Sequence, residues 1–247
     1  CYFAPPSAHQ APPKTLPVIL YVYGGPGTQM VTNNWSLTQT LKFQLWASLG
    51  YVVVVLDGRG SSRRGKAFEA SLYRNLGQIE LEDQVKGLNF CQKHLLPAMD
   101  LSRVCITGWS YGGYLAALGA LRYSAFFKCA VAGAPVTDWR YYDSVYSERY
   151  LGDPIAEGAA YRRASLLSLV REAPLDSDCI MFVHGLLDEN VHTSHTMALI
   201  EQFVLHGKPY RLQLLPRERH GLRGLQSVVH FEYTFLSEMA WTKDVSM

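Results

Sequence analysis

The chain has no long hydrophobic run. No apolar stretch approaches the roughly 20 residues needed to cross a bilayer, so no membrane segment is expected in it. Charge of either sign is scarcely in excess. A net +2 over 247 residues is too little to draw the chain to nucleic acid or to an anionic surface. Cysteine is sparse: Cys1, Cys91, Cys105, Cys129 and Cys179 are odd in number and show no C-x-x-C spacing. That spacing argues against a zinc site, and no metal or other cofactor is expected. Cys105, Cys129 and Cys179 lie in or beside apolar runs. They read as buried thiols, which leans towards a reducing compartment and a cytoplasmic location. There is no signal peptide and no initiator methionine. Opening at Cys1, the chain is expected to be a domain of a longer protein.

What is present suits a packed core. Apolar residues make up 48% and charged residues 18%, and the length fits one α/β domain. Residues 1–17 hold Pro5, Pro6, Pro12, Pro13 and Pro17, five of twelve prolines. They read as a linker or irregular lead-in, with the catalytic-domain candidate running over 18–247. Apolar, largely β-branched segments then recur at 18–23, 51–56, 103–107, 129–134, 180–184 and 210–215. Such unbroken runs belong to parallel sheets covered on both faces. Helices are expected between them: one ending near Leu49, then 79–96, 114–121, 159–171, 193–205 and 227–241. Within 79–96 the apolar stripe is Leu81, Val85, Leu88 and Leu95, with Glu80, Glu82 and Asp83 near the start, where the helix dipole favours acids. Six strands alternating with helices predict a doubly wound, mostly parallel α/β sheet with right-handed crossovers. No internal repeat appears. In such sheets the site lies beyond the carboxyl ends of the strands.

One of those ends carries Gly108-Trp109-Ser110-Tyr111-Gly112, with Gly113 following. Glycine and serine also make plain loops, and G-x-S-x-G recurs by chance. Here it stands between a strand and a helix-forming run, which is the setting of the nucleophile elbow of the α/β-hydrolase fold. The spacing has a physical cause. A serine on a strained turn carries its hydroxyl clear of the sheet, and a side chain two residues to either side would collide with its neighbours. The turn also aims the first amides of the helix at a developing oxyanion.

A serine hydroxyl needs a base, and the base must be oriented. The elbow fold supplies them in the order Ser, Asp/Glu, His, each after a later strand. Asp188 and Glu189 follow the fifth strand; His220 follows the sixth. Asp188 is the closer match to the strand end, with adjacent Glu189 the alternative. Among the histidines, His184 lies inside a strand and reads as a packed core residue. His192 and His195 precede the last strand, and His206 and His230 sit in polar surroundings. Asp57 precedes the nucleophile, the wrong order for an acid, and reads as holding the Asp57-Gly58-Arg59-Gly60 turn. An oxyanion hole needs two donors. The Tyr111 N–H is one; the other should come from Tyr23-Gly24-Gly25-Pro26-Gly27, where Tyr23 offers a phenol. The plain alternative for Tyr23 is a half-buried aromatic at a strand end.

Taken together, Tyr-Gly-Gly-Pro at 23–26, Asp-Gly-Arg-Gly at 57–60, Gly-Trp-Ser-Tyr-Gly-Gly at 108–113, Ala-Pro-Val at 134–136, Asp-Glu-Asn-Val-His at 188–192 and Glu-Arg-His at 218–220 resemble the prolyl oligopeptidase family. Trp139 and the run 146–150 agree. Within that family the dipeptidyl peptidase branch fits best. Gly-Leu-Leu-Asp-Glu-Asn-Val-His at 185–192, Gly-Lys-Pro-Tyr at 207–210 and Ala-Gly-Ala-Pro-Val-Thr at 132–137 look most like its cytosolic members eight and nine. The resemblance covers residues 18 to about 240. It implies a serine peptidase that releases X-Pro dipeptides, with Ser110, Asp188 and His220 as triad and Tyr23 and Tyr111 at the oxyanion. It implies a proline pocket of Tyr111, Val136, Trp139, Tyr142, Tyr146 and Val191, and a carbonyl contact at Asn190. Without it, the aromatics from Trp139 to Tyr150 read as core. It further implies peptide substrates with proline second, a homodimer formed through this domain, and a β-propeller preceding it in the parent protein. In the family that propeller holds the substrate's amino terminus. The segment Gly221-Leu222-Arg223-Gly224 is shorter and more irregular than members eight and nine lead one to expect. A post-proline endopeptidase, an esterase of the same fold and a catalytically silent interaction domain are the alternatives.

Overall fold

The computed structural model describes residues 1–9, 15–173 and 179–240. Seven strands form one sheet in the order β1-β3-β2-β4-β5-β6-β7. They are β1 (Tyr2–Phe3), β2 (Leu16–Tyr21), β3 (Val52–Val54), β4 (Met99–Trp109), β5 (Phe127–Gly133), β6 (Ile180–Gly185) and β7 (Arg211–Leu215). Every pairing among β2 to β7 is parallel. Only β1 runs antiparallel, Tyr2 opposite Val54. The helices are α1 (Leu37–Ser48), α2 (Lys66–Glu69), α3 (Glu80–His94), α4 (Tyr111–Arg122), α5 (Ser144–Leu151), α6 (Gly158–Ala164), α7 (Ser194–Leu205) and α8 (Leu225–Met239). This is the α/β-hydrolase arrangement that the strand-and-helix alternation predicts.

The two sides of each strand feed different cores, as the period of two requires. Val18, Leu20, Val52, Val54, Val104, Ile106 and Phe182 face one way, towards α3, α4 and α7. Ile19, Val53, Cys105, Val131, Met181 and Val183 face the other, against Phe43 and Trp46 of α1 and Phe231 and Phe235 of α8. Burial on both faces explains why these segments are apolar without alternation.

Four details differ from the sequence expectation. The helix expected over 159–171 stops at Ala164, where Ser165 turns extended, and the rest of that span is turns. The lead-in is not wholly irregular, because Tyr2 and Phe3 add the sheet's antiparallel edge and β2 starts at Leu16. Pro12 and Pro13 lie outside the described residues, as does the last residue of the predicted closing helix. On α3, Leu95 falls past the helix end and is exposed, whereas Leu96 turns into the core. The aromatic stretch after β5 contains a helix of its own, α5, started by the Asp143 carboxylate accepting the Tyr146 N–H at 2.9 Å. Among the described residues, no helix is long and apolar enough to cross a membrane.

Candidate active site

Because β2, β4, β5, β6 and β7 are parallel, their carboxyl ends open on one rim. Ser110 follows β4 there. Its backbone sits at φ 61°, ψ −116°, a region that side chains rarely adopt. The turn is fixed on both sides: the Ser110 N–H donates to the Gly133 carbonyl at 2.9 Å and the Ser110 carbonyl accepts the Tyr114 N–H at 2.9 Å. The flanking glycines are there for space. A Cβ on Gly108 would lie 2.2 Å from the Val22 carbonyl oxygen, and one on Gly112 2.0 Å from the same atom. Strand β2 therefore runs hard against the elbow, which brings Tyr23 to the serine. Ser110, Tyr23, Trp109, Tyr142, Asn190 and His220 line one cavity of about 360 Å³.

Asp188 hangs from the turn after β6. Its carboxylate is buried, and its Oδ2 accepts from His220 Nδ1 at 2.9 Å. Burial alone would raise this carboxyl, yet the hydrogen bonds from His184 and His220 outweigh it and hold Asp188 well below the usual carboxylate range. Glu189 points away and pairs with Arg219 at 3.4 Å on the surface. The two loops are laced together by Leu186 N–H to the Leu215 carbonyl and Leu187 N–H to the Glu218 carbonyl, both 3.0 Å. The histidine loop passes so close over β6 that a Cβ on Gly185 would meet the Glu218 and Arg219 carbonyls at 2.5 Å. Beyond His220, the irregular segment is capped by the Glu218 carboxylate, which accepts the Arg223 and Gly224 N–H groups. The His220 carbonyl accepts a hydrogen bond from the Trp109 indole, tying the histidine loop to the elbow. Among the described residues the Ser110 hydroxyl makes no hydrogen bond to His220; the two share the cavity.

The remaining predicted residues gather around Tyr111. Its ring lies 5.9 Å from that of Tyr23 and 5.4 Å from that of Trp139. Tyr146 stacks on Trp139 at 5.7 Å, and Tyr142 meets both edge-on. Val136, Trp139 and Val191 are buried, whereas Tyr142 and Asn190 reach the cavity. Of Tyr111, Trp139, Tyr142 and Tyr146, only Tyr142 lines this cavity; the other three pack behind it, as core. The Tyr142 hydroxyl donates to Asn190 Oδ1 at 2.7 Å, which leaves the Asn190 amide N–H groups as its donors. Burial raises the Tyr23 phenol above its ordinary pKa, so it stays protonated as a donor.

Three contacts lay beyond the sequence reading. Asp57 does not hold its own turn; it accepts the N–H groups of Met30 and Val31 at 2.9 and 2.7 Å and so braces the loop that carries Tyr23. The Asp57-Gly58-Arg59-Gly60 turn is held instead by Arg59 on Asp83. Glu80 is wholly buried and accepts from the Tyr111 hydroxyl at 2.5 Å and from the Gly77 N–H at 2.8 Å. Burial raises its pKa against those bonds. Of the other histidines, His192, His206 and His230 are exposed. His195 is buried, accepts the Thr137 N–H, and is pushed down to about 4 by burial.

Comparison with known proteins places nearly the whole chain among relatives. A profile of the prolyl oligopeptidase family matches residues 35–245. Dipeptidyl peptidase 8 of Homo sapiens is 44% identical over 225 residues, which cover 91% of this chain and 25% of that protein. The Mus musculus protein of the same name gives the same figures. A crystal structure from Bacteroides ovatus, named for dipeptidyl aminopeptidase IV, superimposes with a TM-score of 0.88 at 34% identity, over 96% of this chain and 32% of that one. The chain spans about a quarter of the length of the curated relatives it matches.

Proposed function

The chain belongs to the prolyl oligopeptidase family of serine-type peptidases, and from that premise we propose that it supplies the catalytic centre of an exopeptidase that releases X-Pro dipeptides through an acyl-enzyme. In this reading His220 takes the proton of Ser110 Oγ as that oxygen bonds to the scissile carbonyl carbon. The carbonyl oxygen becomes an oxyanion and accepts from the Tyr111 N–H and the Tyr23 hydroxyl. Collapse breaks the C–N bond, and the proton on His220 goes to the leaving amine. Water then repeats the cycle on the ester and frees the dipeptide. Asp188 keeps the His220 Nδ1 proton in place throughout. Tyr111, Val136, Trp139, Tyr142, Tyr146 and Val191 form the wall for the proline ring, a flat apolar group without an N–H that binds by area and shape. Asn190 donates to the substrate carbonyl.

The observation that carries this reading is the Asp188–His220 hydrogen bond at 2.9 Å, on the rim of the cavity that also holds Ser110. The serine–histidine contact is expected to close when substrate fills the cavity, as active-site hydrogen bonds often do. Relatives three to four times longer than this chain leave room in the parent protein for the expected β-propeller. We place the protein in the cytoplasm, since Cys91, Cys105 and Cys129 carry free thiols in the core, and we expect it to act as a homodimer. The test is a fluorophosphonate label on the full-length protein, followed by peptide cleavage. Labelling at Ser110 that Ser110→Ala abolishes, and release of X-Pro from peptides with a free but not an acetylated amino terminus, are the expected results. Turnover of the acetylated peptide would make the enzyme an endopeptidase. No labelling would leave it an interaction domain.

A further inference from the structure

Asp188 is held from four directions. Its Oδ1 accepts the backbone N–H groups of Asn190 at 3.0 Å and Val191 at 2.9 Å. Its Oδ2 accepts from His220. The fourth neighbour is His184, whose Nε2 stands 3.2 Å from that same Oδ2. His184 lies near the end of β6 and is wholly buried. Its Nε2 is also 2.8 Å from the Val191 carbonyl, and its Nδ1 is 2.7 Å from Thr196 Oγ1 on α7. These partners fix the tautomer. A carbonyl and a carboxylate can only accept, so Nε2 carries a proton; the Thr196 hydroxyl then donates to Nδ1. The ionisable groups facing the ring are Asp188 on its own loop and His195 from α7.

We infer that His184 is a positioning residue for the reaction, acting through Asp188 on His220; the inference rests on the triad assigned above. One imidazole thus fixes the oxygen on which the other depends. Two amides on Oδ1, His220 on Oδ2 and the His184 N–H, shared between the Val191 carbonyl and Oδ2, together set the plane of the carboxylate. Without the His184 N–H, Oδ2 is held only by His220, the residue whose proton moves during the reaction. His184 also ties the chain that carries Asp188 to α7 through Thr196, so the carboxylate is referenced to the sheet and to a helix at once. A histidine serving only as core filling would need its nitrogens satisfied, but not by the oxygen that orients the base.

Two amide substitutions separate these roles. In His184→Gln the side-chain nitrogen lies about where Nε2 was and still reaches Asp188. In His184→Asn it lies about where Nδ1 was, reaches Thr196 and leaves Oδ2 to His220 alone. Both replace a buried ring with a smaller polar group. The full-length protein is treated with an alkyl fluorophosphonate from about pH 5 to about pH 9, and the rate per folded molecule is split into the maximal rate and the half-saturating concentration. His184→Gln should label within about threefold of wild type, whereas His184→Asn should lose about tenfold or more in the maximal rate, with little change in half-saturation. Its acid limb should also move in pH, which a purely structural role would not produce. Thr196→Val, nearly isosteric, frees Nδ1 and should slow labelling by about threefold; it decides the matter if His184→Asn does not fold. Equal rates and equal acid limbs for the Gln and Asn variants, or an unchanged Thr196→Val where that variant decides, would overturn the role of His184 while leaving the triad standing. Failure of wild type to label at Ser110 would instead remove the triad, and this inference with it.

Discussion

Asp188 lies deeper than its partner: its side chain is fully covered, while that of His220 is 26% exposed. Two residue-level predictions follow from such depths. The folded-state pKa of Asp188 lies below the unfolded value. Its contribution to stability is therefore complete above the unfolded aspartate value of about 3.9 and is lost as pH falls from there towards the folded pKa. In urea melts the stability advantage of wild type over Asp188→Asn should be large near about pH 5 and shrink below about pH 4; a difference that stays constant through that range would show that the carboxylate's charge is not what matters. Tyr23 is the second case. Tyr23→Phe removes the proposed oxyanion donor and keeps the ring, so kcat should fall about a hundredfold with KM nearly unchanged. A matching rise in KM would make Tyr23 a binding residue instead. At this scale the sequence was informative where chemistry is tied to chain order. Ser110, Asp188 and His220 each follow a strand, and strands announce themselves. Asp57, Glu80 and the second contact of His184 were illegible for the opposite reason. Each joins segments that meet only across the sheet, and no periodicity records which loop faces which.

Elements set the precision of the site through close backbone approach. Gly112 gains from any helix-favouring replacement, roughly 1 kcal/mol for alanine. Yet its Cβ would sit 2.0 Å from a backbone carbonyl oxygen of the loop after β2, which cannot yield as a side-chain tip can. Overpacking of that kind costs about 1–3 kcal/mol or more, so Gly112→Ala should lower Tm and labelling of Ser110 together. Gly221, next to His220, has nothing within 4 Å of the same atom and no left-handed backbone. Gly221→Ala should be neutral within about 0.5 kcal/mol. Thermal melts of the two variants check the contrast; equal shifts would mean the elbow relaxes. The element boundaries show the same division between what sequence carries and what it does not. Strands β4, β5 and β6 were readable because both faces are buried along most of their length, leaving largely apolar runs; β7 showed through its leucines although its outer face is open. β1 was hidden, since two residues carry no period. The slip from Leu95 to Leu96 arose because α3 ends at His94, and the chain turns there instead of continuing its stripe.

At the scale of the whole molecule, β7 leaves apolar side chains exposed at one edge of the sheet among the described residues. β7 is an edge strand, and Leu212 and Leu214 on it are each 37% exposed. Arg211 at its start pairs with Glu238 of α8 at 2.6 Å, so that helix flanks the same edge. α8 buries Phe231, Phe235 and Met239 and turns Leu225, Val229 and Tyr233 outward, the last two 59% and 73% exposed. Residues at i, i+4 and i+8 share one face, which makes an apolar stripe beside an edge strand. An edge of this kind associates with something unless it is blunted by charge or covered. A two-fold axis lets one such surface serve both partners, because the patch need only complement itself. We predict that the expected homodimer uses α8 and the β7 edge. Val229→Glu with Tyr233→Glu puts like charges opposite one another across that axis and should turn a dimer into a monomer in sedimentation velocity. Labelling of Ser110 should survive, since neither residue lines the cavity. A double variant that still sediments as the wild-type dimer would place the contact elsewhere on the molecule.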